Sequence, residues 1–115
     1  MRSTNGTMMT NLKEETLGVL GTYNKSIDDV RWIGTKDGVM PIDDFLKEAD
    51  LEYDRDYGHN EVRDDLKIVG DDWWMERYIY DGLEKWVFKT FPEKPVNTGP
   101  VKLFTEHEGI FDLEF

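Results

Sequence analysis

The sequence predicts an α+β domain: a small antiparallel sheet with a prominent tryptophan-rich hairpin, packed against two short helices. Two strand-like segments flank Asp81-Gly82, a dipeptide typical of tight hairpin turns. Helical patterns precede the hairpin, and 38% of the 115 residues are hydrophobic, which is enough for one core. We expect residues 1–10 to be a flexible leader and residues 11–115 to form a single domain.

The first helix is expected to begin after Asn11, a residue type that caps helix N-termini through its side chain. Glu14 follows three residues later, as it does in a capping box. The stripe expected to face the core recurs at helical spacing and consists of Leu12, Thr16, Val19, Leu20 and Tyr23.

Two short strands and a second helix are expected next. Residues 30–33 are rich in strand-forming side chains, and residues 39–42 return after a turn. Either Asp43 or Asp44 is expected to cap a helix that runs to about Asp50, because a short acidic side chain accepts hydrogen bonds from the first helical N–H groups.

The hairpin is the clearest local signal. Its predicted strands are Trp73–Tyr80 and Leu83–Phe91, preceded by a short apolar strand at residues 66–69. A two-residue turn determines the register of the whole hairpin, and therefore which side chains share a face. The more apolar face is assigned to the core and carries Trp73, Met75, Ile79, Trp86 and Phe88.

The opposite hairpin face is also rich in large side chains. It can be covered by the helices and by residues 101–104 and 110–115, or it can be a binding surface, since Trp and Tyr are common interface anchors. Lys85 over Tyr78 and Lys89 over Trp74 are expected cation–π pairs. The face carries Trp74, Tyr78, Tyr80, Leu83 and Val87, mixed with Glu76, Lys85 and Lys89.

Charge and composition exclude several classes of protein. The chain has 25 acidic and 14 basic residues, a net charge of −11, which disfavours binding to nucleic-acid phosphates or to anionic membranes. It contains no cysteine, so disulfides and thiolate chemistry are excluded. No apolar run approaches the roughly 20 residues that span a bilayer. We therefore expect a cytoplasmic protein that binds neither nucleic acid nor membrane directly.

Catalytic and metal-binding motifs are weak. The sequence has two histidines and lacks a phosphate-binding loop, a dinucleotide fingerprint and a nucleophile elbow. We expect a protein that is not an enzyme and has no cofactor. The alternative is a loose site for a divalent cation formed by Asp54, Asp56 and His59, although their spacing does not match an EF-hand loop.

The excess of acidic residues lies mainly in the middle of the chain. Residues 41–72 hold twelve acidic and four basic residues. These carboxylates form either a solvated surface or a surface that imitates nucleic-acid phosphates and binds a basic groove of a protein partner. The candidate partner-binding residues are Asp50, Glu52, Asp54, Asp56, Glu61, Asp64 and Asp65, together with Trp74 and Tyr78 on the hairpin.

A double tryptophan lies in residues 65–77 and is followed by Tyr80-Asp81-Gly82 and by residues 84–89. These motifs resemble small acidic proteins encoded by phages and prophages of Gram-positive bacteria such as streptococci, and the double tryptophan and the Tyr-Asp-Gly turn are the most distinctive part of the resemblance. Residues 30–34 and 42–45 are similar as well. The resemblance covers about residues 11–92 and brings no catalytic residue with it.

The resemblance implies a setting in a host bacterial cytoplasm. Small acidic phage proteins are often anti-defence factors, and anti-CRISPR proteins that block Cas9 are a leading example. Cas9 holds nucleic acid in positively charged channels, which an acidic inhibitor complements. The resemblance therefore implies a Cas9-type effector as the protein partner. The alternatives are a module that binds or sequesters a nucleotide, and a phage assembly adaptor.

Overall fold

A computed structural model describes residues 9–56, 58 and 60–105. It confirms the α+β class, with two α-helices, a single 3₁₀ turn and seven strands in the described residues. In chain order the elements are β1 (Met9–Asn11), α1 (Leu12–Thr22), the 3₁₀ turn (Ile27–Asp29), β2 (Trp32–Thr35), β3 (Gly38–Met40), α2 (Ile42–Glu48), β4 (Glu52–Asp54), β5 (Lys67–Val69), β6 (Trp73–Tyr80) and β7 (Leu83–Thr90).

The strands form two antiparallel sheets. The larger sheet has five strands in the order β3-β2-β5-β6-β7, and the smaller sheet pairs β1 with β4. Met9 and Thr10, which the sequence analysis assigned to the leader, lie in β1, where Thr10 is opposite Tyr53. Each strand of the small sheet has only three residues, so neither has enough length to show an alternating pattern.

The hairpin has the predicted register throughout, from Tyr80 opposite Leu83 to Trp73 opposite Thr90. Asp81 has φ 54° and Gly82 has φ 83°, the two positive values that a tight two-residue turn requires. This turn matches the right-handed twist of the two strands and explains why the local sequence was sufficient to predict the pairing.

The core lies between one face of the large sheet and the two helices. Residues at matching positions of four adjacent strands point into it, because Ile33 is opposite Ile68, Ile68 is opposite Met75, and Met75 is opposite Phe88. The helices contribute Leu20 and Phe45 to the same cluster. Its other buried members are Val30, Ala49, Leu66, Trp73 and Trp86.

Of the two predicted helix caps, that of α1 is correct and that of α2 is wrong. The Asn11 side chain accepts the N–H of Glu14 at 2.9 Å, as expected for α1. The N-cap of α2 is Pro41, which makes no side-chain cap, so the predicted cap at Asp43 or Asp44 is wrong. Both aspartates lie in the first helical turn, where their charge still favours the positive end of the helix dipole.

Two expectations about burial also need correction. Ile79, assigned to the core, is 39% exposed, whereas Arg77 and Glu84 on the same hairpin face are buried. The segment Val101–Phe104 does not cover the sheet, since its three large apolar side chains are 76% to 83% exposed. Residues 110–115 lie outside the described part of the chain.

Candidate functional site

The second face of the large sheet is not covered by either helix. We call it the open sheet face. Trp32, Val69 and Trp74 lie in one row across it, because the register makes them neighbours on β2, β5 and β6. Trp74 is half-buried, Tyr78 is 46% exposed and Tyr80 is 65% exposed. The interpretation that the helices or residues 101–104 cover this face is therefore wrong.

Aromatic and cationic groups lie side by side on the open sheet face. The rings of Tyr78 and Tyr80 are nearly parallel, at 13° and a centroid separation of 6.4 Å. The Nζ atom of Lys85 lies 5.8 Å from the Tyr78 ring, which confirms one predicted cation–π pair. An exposed pair of parallel rings beside an ammonium group suits a flat ligand that also carries negative charge.

The other predicted cation–π pair is replaced by an ion pair. The Nζ atom of Lys89 donates to Glu76 at 2.8 Å, and the indole Nε1 of Trp74 donates to the same carboxylate at 2.8 Å. These hydrogen bonds, chiefly that from Lys89, lower the pKa of Glu76. A carboxylate attracts Lys89 more strongly than an aromatic ring does, and this neighbour explains the difference.

Most of the predicted acidic residues are on the surface. Asp54 is half-buried and the other five are exposed in a set that we call the acidic surface: Asp50, Glu52, Asp54, Asp56, Glu61 and Asp64. Glu52 and Asp54 point to one side of β4, because Tyr53 between them points into the protein. Asp50 accepts the side-chain amide of Asn11 at 2.9 Å, next to the start of α1.

Asp65 has a different role from the rest of the predicted set. It accepts two hydrogen bonds from the Arg63 guanidinium, at 3.0 and 2.8 Å, and the backbone N–H of Lys36 at 3.1 Å. These partners, with Arg63 first, lower the pKa of Asp65 to about 2. Its charge is therefore already compensated within the fold, and it joins the chain before β5 to the turn between β2 and β3.

An apolar cleft of about 460 Å³ lies beside the acidic surface. Its walls come from α1, β2, β3, α2, β4 and residues 61–66, and its apolar lining includes Leu12, Phe45 and Ala49. Glu48, Glu52 and Glu61 are at its border, with Arg63. The cleft was not predicted, because it forms where segments far apart in the chain meet.

A buried network of charges lies beneath this region. The Nη2 atom of Arg77 is 3.0 Å from the Tyr53 hydroxyl and 3.2 Å from a carboxylate oxygen of Glu84. The Tyr53 hydroxyl donates to Glu15 at 2.6 Å. The Arg77 guanidinium also lies 4.8 Å from the Trp86 ring. Burial and the bond to Glu15 raise the pKa of Tyr53 to about 12.

Glu84 connects this network to the acidic surface. Its carboxylate accepts the backbone N–H of Glu61 at 2.6 Å and that of Val62 at 3.1 Å. Its own N–H donates to the carbonyl of Arg55 at 2.9 Å. This role was not predicted, although opposite charges at Arg77 and Glu84 on the predicted core face were a signal that they pair there.

The proposed cation site gains no support. The described residues contain no group of three or more His, Cys, Asp or Glu side chains that could hold a metal ion. One oxygen of Asp54 accepts the N–H of Asp56 at 3.0 Å, and His59 lies outside the described residues.

No helix in residues 9–56, 58 and 60–105 combines the length and apolar character needed to cross a bilayer. Comparisons with protein-family models, with curated proteins and with solved structures give no match to this chain.

Proposed function

We propose that this chain is a non-catalytic anti-defence protein of the anti-CRISPR type, which binds a basic surface of a Cas9-type effector through the acidic surface. The observation that carries the proposal is the exposure of Asp50, Glu52, Asp56, Glu61 and Asp64 in the absence of any ion pair to another described residue. The phage-type resemblance supplies the setting.

Uncompensated carboxylates suit a partner that normally holds nucleic acid. A groove lined by Lys and Arg attracts spaced negative charges, and exposed charges mainly accelerate association and set specificity. A solvated surface that only keeps the protein soluble has the same composition, so the proposal depends on whether particular carboxylates matter more than the net charge of −11.

The test is a DNA-cleavage assay with a panel of type II Cas9–guide complexes. The protein is added before or after the target DNA, and we expect inhibition only when it is added first. The variant Glu52→Lys/Asp56→Lys/Asp64→Lys is expected to lose inhibition. A matched variant, Asp28→Lys/Asp72→Lys/Glu93→Lys, changes the net charge equally at exposed positions elsewhere and is expected to keep it.

Equal inhibition by the two triple variants would show that net charge matters and that the particular carboxylates of the acidic surface do not, which would contradict the proposal. Inhibition that is unchanged by added salt would also contradict the proposal, because contacts between exposed charges weaken as ionic strength rises. No inhibition of any effector in the panel would contradict this proposal and favour the second candidate function.

The second candidate is binding of a nucleotide at the open sheet face. It is favoured by the parallel rings of Tyr78 and Tyr80, both exposed, with Lys85 beside Tyr78. A base can stack on such rings while a phosphate pairs with a lysine. We expect one member of a nucleotide panel to raise the melting temperature, because a ligand that binds only the folded state stabilises it.

The variant Tyr78→Ala/Tyr80→Ala should abolish that shift. The matched variant Phe104→Ala removes an aromatic side chain that is 76% exposed outside the sheet, and should leave the shift unchanged. A melting temperature that stays flat across the panel at millimolar ligand would eliminate this candidate.

A further inference from the structure

We infer that the apolar cleft beside the acidic surface binds a protein segment that inserts one aliphatic side chain flanked by Lys or Arg. This rests on the proposed function in one respect: Glu52 and Glu61 belong to both the cleft and the acidic surface. It adds what the partner must present there, namely an apolar group between cationic ones.

The lining of the cleft suits an apolar side chain. Its volume of about 460 Å³ falls in the range of roughly 300–1,000 Å³ that is typical of ligand-binding clefts. Phe45 and Ala49 form buried parts of its lining, whereas Leu51 on its border is 69% exposed. An inserted aliphatic group would remove this exposed apolar surface from water, which favours binding.

The charge around the cleft determines the flanking groups of the occupant. Glu48, Glu52 and Glu61 border the cleft and are exposed. Among the described residues of the lining, Arg63 is the only basic one, and its guanidinium is already bound to Asp37 at 2.9 Å and Asp65 at 2.8 Å. A cationic segment therefore meets negative charge on this border, and an acidic or phosphorylated one is repelled.

The wall of the cleft is held in place before any partner arrives. The buried Glu84 carboxylate accepts the N–H groups of Glu61 and Val62, at 2.6 and 3.1 Å, so this part of the wall is fastened to the hairpin. A cleft that is already formed spares the entropy of ordering a loop on binding. The residues that contact the occupant are thus separate from the residue that positions them.

The test is an NMR titration of the full chain with two synthetic peptides of equal charge. The probe is acetyl-Lys-Arg-Leu-Lys-Arg-amide, and the control peptide has Ser in place of Leu. We expect the leucine peptide to bind at least about fivefold more tightly, with shifts at the amides of Leu12, Ala49 and Val62. Equal affinity, or shifts confined to other regions, would overturn the inference.

Two charge variants sharpen the test. Glu52→Lys/Glu61→Lys should weaken binding of the leucine peptide by about tenfold. The matched Asp28→Lys/Asp72→Lys has the same net charge and should bind within about twofold of the unmodified protein. An equal loss in both variants would show that only net charge matters, and would overturn the inference.

These results are separable from the cleavage assay. Binding of the leucine peptide at the cleft by a protein that inhibits no effector would leave the inference standing and remove the proposed function. Inhibition of an effector by a protein whose cleft does not discriminate the two peptides would do the reverse.

Discussion

The two faces of the β6–β7 hairpin are similar in composition and differ in environment. One face carries Trp73 and Trp86, which are 2% and 4% exposed; the other carries Tyr78 and Tyr80, which are 46% and 65% exposed. The aromatic content of a strand therefore does not decide which face is buried. The helices decide it, because they pack on one face alone, where Leu20 and Phe45 join the core cluster.

The comparison also reverses an expectation about charge. The buried face contains an ion pair, Arg77 with Glu84, and the exposed face contains most of the hairpin's uncovered rings. Burying two charges is costly unless both have further hydrogen bonds. Glu84 has them in the N–H groups of Glu61 and Val62. Arg77 has one further hydrogen bond, to the Tyr53 hydroxyl, and lies against the Trp86 ring, whereas its Nε and Nη1 atoms are buried without a hydrogen bond to a described residue.

The largest expected effect comes from breaking the buried ion pair. Glu84→Ala leaves the Arg77 side chain buried without its main carboxylate partner, and leaves two backbone N–H groups without their acceptor. We expect a loss of about 3–5 kcal/mol in the free energy of unfolding, measured by urea denaturation. Glu93→Ala, at an exposed position, should change it by less than about 0.5 kcal/mol. A loss below about 1 kcal/mol for Glu84→Ala would mean that the network is not a major support of the fold.

The next largest effect is a difference in the free energy of unfolding lost when either of two adjacent tryptophans is replaced. Trp73→Ala should cost about 3–5 kcal/mol in the free energy of unfolding, because the side chain is almost fully buried. Trp74→Ala should cost about 1 kcal/mol, since it removes a half-buried ring and a single hydrogen bond to Glu76. Equal losses in urea denaturation would indicate that the open sheet face is covered in solution.

A smaller effect is expected at the turn that assigns side chains to the two faces. Gly82 has φ 83°, and a Cβ atom there would lie 3.1 Å from the Cα atom of Gly58. Gly82→Ala should therefore destabilise the protein by about 1 kcal/mol, seen as a lower melting temperature. Gly99→Ala is the matched change, because a Cβ atom there meets no heavy atom within 4 Å. A Gly82→Ala melting temperature no lower than that of Gly99→Ala would contradict the strain at this turn.

The last expected effect appears only at alkaline pH. Burial and the hydrogen bond to Glu15 raise the pKa of Tyr53 from its usual 10.0 to about 12. The raised pKa means that its contribution to stability is complete below pH 10 and disappears as the pH rises toward 12. Urea denaturation across this window should show a decline that Tyr53→Phe lacks. A parallel decline in both proteins would assign the alkaline loss to other groups.

The sequence was sufficient for elements whose signals are local. Asp81-Gly82 predicted the turn and the register of β6 and β7, and Asn11 predicted the start of α1. It was insufficient for β1 and β4, whose pairing brings Thr10 next to Tyr53 across more than forty residues of chain. No local pattern reports a contact of that separation when each strand is three residues long.

The candidate sites divide in the same way. Composition identified the acidic residues. The structure leaves five of the seven exposed and without an ion pair to a described residue: Asp50, Glu52, Asp56, Glu61 and Asp64. Composition alone could not distinguish Asp65 from the other acidic residues, because only the fold brings the N–H of Lys36 to its carboxylate. The apolar cleft could not be predicted either, since its walls come from elements that are far apart in the chain.

The way in which the hairpin holds residues 55–62 has a consequence for how this protein can change. Four hydrogen bonds between described residues attach this segment to the hairpin. They use main-chain atoms of Arg55, Gly58, Glu61 and Val62, and none of the four uses an acidic side chain of the segment. Its surface side chains can therefore be exchanged while the path of the chain stays the same. The segment is a ready scaffold on which new recognition sequences, natural or designed, can be displayed without redesigning the domain beneath.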